Sequence, residues 1–446
     1  MFDKNKYDVL VVGAGLAGLS CAYELSQKGR KVLVIEAQSY AGGRTSSFDD
    51  NGMQVESGLH RYIGYYSALP KLLKKCGVKI GDIVTWEEKA DILIKNENKK
   101  LVLGLAPLFG PIKTARGVLG NNDILTVQDK LSLIPFFISG FSSYIFSDKL
   151  DNYTVAEYAN LHHVSEKSKR LILEPLSSGI FFMPPENYSA YAFFGLFAPA
   201  IGKFYKMRIG AFLGGMTDVM CNPIVEKIRS LGGEFIFSEP VESVILKNDG
   251  VVGVKSKNGD EYFADQTVVA TTLPSAKSIL SPLKGNALLQ KLFDLPTMSA
   301  CTLQLELTKP ALEKDITTFG PGTDLVSFAE QSRTTFRNNN GRLSVIFGNA
   351  NEYTDKDAEE LLDTVINEMN ALGVRLDKES ILNYRKVAEK DEFYSLDKGN
   401  QKLRPTQKTG VQGLTLAGDY TLTPSFATME GAVISGKLAA DECLKN

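Results

Sequence analysis

A glycine-rich turn near the N-terminus restricts the fold of this chain more than any other feature. The turn reads Gly13-Ala14-Gly15-Leu16-Ala17-Gly18, which is the G-x-G-x-x-G pattern. An apolar run from Tyr7 to Val12 precedes it, a helical pattern follows as far as Lys28, and a second apolar run ends at Glu36. Strand, turn, helix, strand and acid in this order predict a dinucleotide-binding βαβ unit.

Each part of this unit has a physical role in holding a nucleotide. Gly13 permits the tight turn, Gly15 lets the backbone approach a pyrophosphate, and Gly18 lets the helix lie close to the strand. The N-terminus of the helix then faces the anion. Glu36 follows the glycines by about 20 residues, where a carboxylate bonds ribose hydroxyls. Since no arginine stands beside Glu36, the sequence argues against a 2′-phosphate and hence against NADP.

Length, charge and cysteine content narrow the class of protein. A chain of 446 residues predicts two interleaved domains with ample core. The net charge of −2, with dispersed basic residues, gives no electrostatic reason to expect a nucleic-acid partner. Five cysteines without a C-x-x-C pair indicate a reducing compartment. His162 and His163 have no Cys or His at ligand spacing, so no metal site is expected. Because only six polar-rich residues precede the first strand, we expect a cytoplasmic protein without a cleaved leader.

The residues after Glu36 distinguish flavin from nicotinamide. Ala37 is followed by the turn Gly42-Gly43-Arg44, which resembles the second signature of the FAD-dependent amine oxidase and phytoene desaturase superfamily. In that superfamily the Gly-Gly-Arg turn passes along the pyrophosphate. The resemblance therefore implies FAD, held without a covalent bond, because no Cys or His stands where the family attaches its flavin.

A second segment brings the resemblance closer to one branch of the superfamily. Gly58-Leu59-His60 is followed by an aromatic-rich stretch, and the helical pattern that comes next covers 65–76. This arrangement resembles plant and cyanobacterial-type carotene desaturases, in which the loop lies near the flavin and the substrate entrance. His60 then donates to a flavin oxygen or simply caps a turn; both interpretations remain open.

The chain returns to the nucleotide-binding fold in its second half. Apolar strand patterns begin at Val241 and Gly250, and a further one over 265–272 resembles the family strand whose end, at Thr271, reaches the cofactor. In the superfamily the residue at Val241 contacts adenine through its backbone. Near the C-terminus, Gly418-Asp419 and a helix beginning near Met429 match the third flavin signature of plant-type desaturases. Together the motif and the resemblance predict cofactor contacts at Gly13, Ala14, Gly15, Leu16, Ala17, Gly18, Glu36, Ala37, Gly42, Gly43, Arg44, Gly58, Leu59, His60, Val241, Thr271, Gly418, Asp419 and Met429.

Other positions bear on the substrate. In amine oxidases of the superfamily a lysine lies near the start of a strand that corresponds to 299–307, and this chain has Thr302 there. The same stretch alternates like a strand with one exposed face. Plant-type phytoene desaturases also have an arginine where this chain has Val219-Met220 and a tyrosine where it has Ser425. The resemblance therefore implies the class of reaction and leaves the substrate open.

Three apolar or aromatic-rich runs cover 101–112, 131–146 and 189–199. Proline and glycine interrupt the first two, which are shorter than the roughly 18 to 20 apolar residues of a membrane span. One interpretation makes these two runs core segments of a substrate domain. The other makes them an apolar tunnel whose mouth rests on the inner face of a membrane, with Lys113, Arg116 and Lys130 near the headgroups. The resemblance of 106–130 to phytoene desaturases favours the second interpretation.

These observations predict an α/β fold in which a Rossmann-like FAD-binding domain, with a doubly wound parallel sheet, is interleaved with an α+β substrate-binding domain. The FAD-binding domain comprises 1–90, 214–285 and 410–446, and the substrate domain 91–213 and 286–409. The expected function is FAD-dependent desaturation of a long apolar isoprenoid-like molecule, with oxygen or a quinone as electron acceptor. The alternatives are an amine oxidase, a squalene-pathway flavoenzyme and a non-redox flavoprotein that isomerises or carries a lipid. No acid/base pair is identified; His60 and Arg61 are the only candidates for polar groups facing the substrate.

Overall fold

A computed structural model describes residues 7–87, 89–97, 99–104, 122–147, 149–203 and 206–445. The apolar run predicted over 101–112 is therefore described only as far as Gly104. Lys113 and Arg116, predicted near lipid headgroups, lie outside the described residues.

The strands of the described residues are given in chain order. They are β1 (Tyr7–Val12), β2 (Val32–Ile35), β3 (Ser47–Asp50), β4 (Met53–Glu56), β5 (Tyr62–Ile63), β6 (Val84–Glu87), β7 (Lys89–Ile94), β8 (Lys99–Gly104), β9 (Ile209–Phe212), β10 (Glu234–Ile236), β11 (Val241–Lys247), β12 (Gly250–Ser256), β13 (Glu261–Val269), β14 (Thr297–Leu307), β15 (Thr318–Phe319), β16 (Leu325–Glu330), β17 (Gly341–Phe347), β18 (Ile381–Tyr394) and β19 (Leu414–Leu416).

The α-helices are numbered in the same way. They are α1 (Leu16–Gln27), α2 (Ala68–Lys75), α3 (Ile80–Ile83), α4 (Val127–Phe146), α5 (Val155–Leu161), α6 (Glu166–Ser168), α7 (Glu174–Phe181), α8 (Ala190–Phe197), α9 (Asn222–Ser230), α10 (Leu273–Ile279), α11 (Gln290–Asp294), α12 (Ala358–Ala371) and α13 (Met429–Cys443). Wider π-helical turns over Lys169–Leu173 and Thr217–Cys221 lead into α7 and α9.

The first sheet is built around the predicted βαβ unit. Its parallel part has the order β10-β2-β1-β13-β19, and β12 and β11 extend β13 as an antiparallel meander. Strand β1 is central and buried on both faces, as its continuous apolar sequence predicts. Helix α1 lies between this sheet and α13. The carboxyl ends of β1, β2 and β13 meet at one edge, where ligands bind in open α/β sheets.

The second sheet has the order β18-β14-β17-β16-β15-β7-β8 and is antiparallel except where β15 pairs with β7. The prediction that one face of 299–307 is exposed is wrong, because β14 is buried almost throughout. One face, with Leu303 and Leu305, packs against Val365 and Met369 of α12. The opposite face lines a cavity. Both faces of β14 are therefore covered, one by α12 and the other by the wall of the cavity.

The helix predicted over 65–76 begins only at Ala68. The carboxylate of Glu430, in the first turn of α13, accepts hydrogen bonds from the backbone N–H groups of Ser67, Ala68 and Leu69 at 2.7, 2.7 and 2.9 Å. These are N–H groups that a helix start leaves without intrahelical partners. The boundary is therefore set by a side chain about 360 residues away, and no local pattern could reveal it.

Candidate active site

A cavity of about 560 Å³ lies at the carboxyl edge of the first sheet. Its wall is formed by the glycine-rich turn, the end of β2, the Gly-Gly-Arg turn, the start of β11 and the N-terminus of α13. These elements are distant in sequence, but each contains at least one residue that the sequence predicts to contact the cofactor. The volume lies within the range of about 300 to 1,000 Å³ typical of cofactor and ligand sites.

Backbone contacts fix the shape of the glycine-rich turn. Gly13 has φ of 102°, which residues with a side chain rarely adopt. A Cβ atom at Gly18 would lie 1.9 Å from the carbonyl oxygen of Gly13, so only glycine lets α1 approach the turn this closely. The N–H of Gly42 donates to the carbonyl of Ala14 at 3.0 Å, which joins the two glycine turns side by side.

Glu36 closes the same part of the cavity. Its carboxylate accepts hydrogen bonds from the N–H of Ala14 at 2.6 Å and from the N–H of Gln38 at 2.9 Å. Burial raises the pKa of Glu36, and the backbone hydrogen bonds oppose that rise. The carboxylate thus braces the turn, and its remaining lone pairs are available to a ligand in the cavity.

Arg44 and Asp419 join two of the predicted motifs across the cavity. Arg44 Nη2 lies 2.6 Å from Asp419 Oδ1, and the guanidinium lies 4.5 Å from the centre of the Phe393 ring. Burial disfavours the charged guanidinium, but Asp419 outweighs it and raises the pKa of Arg44. This pair links the second and third signatures although 375 residues separate them.

The structure brings most of the predicted cofactor contacts to this wall. They are Gly13, Gly15, Leu16, Ala17, Glu36, Ala37, Gly42, Gly43, Arg44, His60, Val241, Thr271, Gly418, Asp419 and Met429. Ala14 and Gly18 lie behind the turn and shape it, through the contacts given above. Gly58 and Leu59 line a second cavity instead.

The second cavity has a volume of about 500 Å³ and a wall that is mainly apolar. Strand β14 of the second sheet contributes Met298, Ala300 and Thr302 on one side, and α4 contributes Phe137 and Phe141 on another.

Thr302 occupies the position of the amine-oxidase lysine. Its hydroxyl donates to the carbonyl of Val387 at 3.4 Å. No lysine is found among the described residues of this wall. Val219, Met220 and Ser425, where the sequence departs from plant-type desaturases, line neither cavity.

The two cavities adjoin, because one set of residues lines both. These residues are Ser57, His60, Glu389, Phe393, Ala427, Thr428 and Met429. Thr428 caps α13 by accepting from the N–H of Gly431 at 3.1 Å, so the positive end of that helix points at the junction. The junction therefore connects the nucleotide cavity to the apolar cavity beside the N-terminus of α13.

His60 lies at the junction as a neutral ring. Its Nδ1 is 3.2 Å from the carbonyl oxygen of Gly58, so Nδ1 carries the proton and donates. Burial lowers the pKa of His60 to about 4, and the hydrogen bonds to backbone carbonyls only partly oppose this shift. His60 thus bonds the backbone of its own loop while its ring lines both cavities. A contact between this ring and a bound flavin stays a prediction.

Arg61 is held in a structural cluster of charges. Its Nε lies 2.8 Å from Glu87 Oε1 and its Nη2 lies 2.8 Å from Asp315 Oδ1. Its side chain reaches the wall of the apolar cavity, but both carboxylates are almost fully buried. This geometry gives Arg61 the role of a fixed counter-ion and not that of a group that exchanges protons with a ligand.

Sequence reasoning missed several residues of the junction. Thr428 had a detectable signal, since a threonine before an apolar helix is a typical N-cap. Glu389 and Phe393 belong to β18, whose sequence carries no motif, and only the fold brings them beside the flavin signatures.

Comparison with known proteins identifies the family. Residues 16–444 match the family model described as flavin containing amine oxidoreductase. The chain belongs to this family. It is therefore a flavin-dependent oxidoreductase, and the predicted flavin cofactor is confirmed at that level.

Individual relatives agree with this assignment. A 15-cis-phytoene desaturase of Synechococcus elongatus is 27% identical and covers 97% of this chain and 94% of its own length. A zeta-carotene desaturase of Synechocystis sp. is 25% identical, with coverages of 98% and 97%. The predicted relationship to carotene desaturases is confirmed. Among solved structures, putrescine oxidase bound to putrescine superposes with a TM-score of 0.78 at 17% identity, covering 99% of both chains, which confirms the predicted α/β fold and no more.

Proposed function

We propose that the protein is an FAD-dependent desaturase of a long apolar isoprenoid. The observation that carries this proposal is the apolar cavity that adjoins the nucleotide cavity through shared walls. FAD, when bound, supplies the hydride acceptor. The chain's own contribution is to exclude water from the reacting carbons and to align them with the junction.

The nucleotide cavity fits FAD bound without a covalent link. In this proposal Glu36 holds the ribose, the glycine turns and the N-terminus of α1 hold the pyrophosphate, and the backbone of Val241 meets the adenine. No cysteine is found among the described residues of either wall. Cys221 lies near the Gly-Gly-Arg turn and donates to the carbonyl of Thr45. Burial raises the pKa of Cys221 to about 12, so its thiol is not a nucleophile at neutral pH.

The domain division predicted from the sequence is part of the proposal. The seven strands of the first sheet fall within 1–90, 214–285 and 410–446. The second sheet draws its strands mainly from 91–213 and 286–409. Each domain would then hold one of these two large sheets. Strands β3 and β4 pair inside 1–90, and β9, from the substrate-domain pieces, pairs with β5 and β6 across the predicted boundary.

Replacing Glu36 with alanine is expected to weaken FAD binding about 10- to 100-fold. The change removes the acceptor for two backbone N–H groups and for the ribose, a loss of about 1 to 3 kcal/mol. Flavin fluorescence on titration of the apoprotein measures the affinity. Glu261→Ala, at an exposed site on β13, is the control and should bind FAD as the wild type does. Equal affinities for the two variants would contradict the proposed ribose contact.

The apolar wall supports an isoprenoid substrate over an amine. Burial of each CH₂-sized group stabilises a complex by roughly 0.8 kcal/mol, so a long hydrocarbon needs no ion pair to bind. The wall also lacks the lysine of the amine oxidases among its described residues. The names of the relatives, phytoene desaturase and zeta-carotene desaturase, point to polyenes of the same class.

Anaerobic mixing of the holoprotein with defined compounds tests the function. We expect phytoene or zeta-carotene to bleach the flavin and putrescine and dodecylamine to leave it oxidised. Bleaching by an amine alone would replace the proposal with an amine oxidase, and bleaching by squalene alone would favour the squalene-pathway alternative. An isomerised polyene without bleaching would identify the non-redox alternative. Admitting oxygen or a quinone to the reduced protein then identifies the electron acceptor.

Helix α4 supports a docking position on the surface of a bilayer. Leu131, Ile134, Ile138 and Ile145 follow one another at helical spacing and are all exposed. Phe137 and Phe141, on another face of the same helix, line the apolar cavity. A helix with one apolar face outside and another on the substrate cavity suits a protein that takes an apolar molecule from lipid. Within the described ranges, no helix combines the length and hydropathy that a membrane crossing requires.

Lys130 does not stand free beside this face. It is half-buried, and its Nζ donates to Asn122 Oδ1 at 3.1 Å. We therefore propose that apolar contact carries most of the membrane affinity, with the cytoplasmic leaflet as the target.

Ile138→Glu is expected to reduce sedimentation with phospholipid vesicles by about 10- to 100-fold in partition coefficient. The side chain of Ile138 is 68% exposed, so the change leaves the core intact. It removes about 1.5 to 3 kcal/mol of apolar burial in the membrane-bound state. Leu382→Glu is the matched control, since Leu382 is 63% exposed on β18, outside α4. Equal loss in both variants, or no sedimentation of the wild type, would remove the membrane part of the proposal.

A further inference from the structure

The apolar cavity contains a carboxylate that the fold does not otherwise use. Glu389, on β18, is the only acidic residue among the described residues of its wall. It also lines the nucleotide cavity and therefore stands at the junction of the two. Val387 and Phe393 of the same strand flank it on the apolar wall.

The side chain of Glu389 has no hydrogen bond or ion pair within the part of the chain that the structure describes. The arginines that line the two cavities each have another partner. Arg44 is paired with Asp419 at 2.6 Å. Arg61 is paired with Glu87 and Asp315. Arg208, also on the wall, stacks on the Trp86 ring at 3.7 Å.

Other titratable groups surround Glu389. Burial raises its pKa, Arg44 lowers it, and the like charge of Glu392 raises it further, with a net rise. Tyr40 lies on the wall of the nucleotide cavity, where burial raises its pKa and the charges of Glu36 and Glu389 add to the rise. His60 is neutral at the same junction. An unpaired, partly desolvated carboxylate between a cofactor cavity and a substrate cavity is typical of a group that exchanges a proton.

We infer that Glu389 is the proton acceptor of the desaturation. This inference rests on the proposed function. FAD bound at the junction would supply the acceptor for a hydride, that is, for one hydrogen of the substrate together with the electron pair of its C–H bond. The neighbouring C–H bond then breaks, its electron pair forms the new C=C bond, and the proton passes to the Glu389 carboxylate. Two hydrogens leave the substrate, and one proton remains on Glu389 until solvent removes it.

The first test needs no substrate. Glu389 ionises beside the flavin, so the visible spectrum of the bound flavin should show a one-proton transition. Because burial raises the pKa of Glu389, this transition should lie at a higher pH than that of an exposed glutamate. Glu389→Gln should abolish the transition and raise the midpoint potential of the flavin, because a negative charge no longer opposes the reduced anion. Glu379→Gln, at an exposed site before β18, should change neither property. A transition that persists in Glu389→Gln overturns the inference.

The second test measures flavin reduction by phytoene in stopped flow. General-base catalysis contributes about 10²- to 10⁴-fold, so Glu389→Gln should slow reduction by that factor. Glu389→Asp should recover part of the rate. In the wild type the rate of flavin reduction should rise with pH as the carboxylate loses its proton. In Glu389→Gln the rate should show no such increase with pH. A rate in Glu389→Gln equal to that of the wild type overturns the role.

The two tests separate the inference from the function on which it rests. Wild-type flavin that phytoene and zeta-carotene fail to reduce refutes the proposed function, and with it the proton-acceptor role. If dodecylamine then reduces the wild type and binds Glu389→Gln at least about tenfold more weakly, Glu389 is an anchor for an ammonium group. The spectral transition reports the ionisation of Glu389 beside the flavin in either case.

Discussion

Gly18→Val is expected to prevent the chain from folding into a form that binds flavin. The Cβ atom that any other residue adds at this position lies 1.9 Å from the carbonyl oxygen and 3.1 Å from the carbonyl carbon of Gly13. Both are backbone atoms of the turn that leads from β1 to α1, so no side chain can move aside. Relief of the overlap would require α1 to leave the sheet and α13, against which it packs.

The expected cost is large relative to the stability of a typical domain. Forcing backbone apart in a packed core costs about 3 kcal/mol or more, against a total of about 5 to 15 kcal/mol. Urea unfolding followed by the fluorescence of Trp86, the single tryptophan of the sequence, measures the change. We expect Gly18→Val to be insoluble or to unfold at much lower urea, with no bound flavin.

A matched glycine substitution separates this contact from a general effect of glycine replacement. A Cβ atom at Gly81, in α3, meets nothing within 4 Å, and its backbone is not in the left-handed region. Gly81→Ala should therefore be neutral or stabilise the fold by about 0.4 to 1 kcal/mol. Similar urea midpoints for Gly18→Val and the wild type would contradict the packing argument.

The features predicted well from the sequence are those set by short-range geometry. The glycine spacing at 13–18 fixes the turn, and the apolar runs on either side fix β1 and β2, because backbone conformation and periodicity act within a few residues. The third signature was found for the same reason, since Gly418-Asp419 and the helix pattern that begins near Met429 form a local pattern. These elements are sufficient to locate the nucleotide cavity.

Features that depend on contacts distant in sequence were not predicted. Glu430 decides where α2 begins. The second face of β14 is covered because Ala300 and Thr302 line the apolar cavity, whose other walls come from distant parts of the chain. Glu389 reaches the junction only because β18 pairs with β14, which places it opposite Ala300 on the cavity face. Periodicity identifies a strand face but does not reveal what that face will meet.

The buried charges around Arg61, which include Glu56, also depend on contacts between residues distant in sequence. The interface between β4 and the second sheet holds Glu56, whose pKa burial raises to about 7. The side-chain amide of Gln304 bonds the backbone of Glu56 across this interface. In sequence, Arg61 follows His60 in a loop that resembles a flavin contact, which suggested a role toward the substrate. In the structure its partners are Glu87 and Asp315.

Arg61→Leu is accordingly expected to destabilise the fold by about 3 to 5 kcal/mol, the cost of removing one partner from a buried ion pair. The side chains of Glu87 and Asp315 are only 2% exposed, so neither carboxylate can reach water when the guanidinium is lost. Urea unfolding of the variant measures the effect. A loss of flavin reduction without a loss of stability would instead restore the substrate-facing role of Arg61.

The pH dependence of this destabilisation gives the sharper test. Burial already raises the pKa of Asp315 from 3.8 to about 6, although Arg61 opposes the rise. Without Arg61 the folded-state pKa rises further above the unfolded value. The folded state then binds more protons than the unfolded state, and stability falls as pH increases through that window. Arg61→Leu should therefore be closest to the wild type near pH 4 and lose stability progressively toward neutral pH.

Adding Glu87→Gln and Asp315→Asn to Arg61→Leu removes the buried charges and should restore much of the lost stability at pH 7. A deficit that is independent of pH and persists in the triple variant would mean that Arg61 acts through packing and not through its charge.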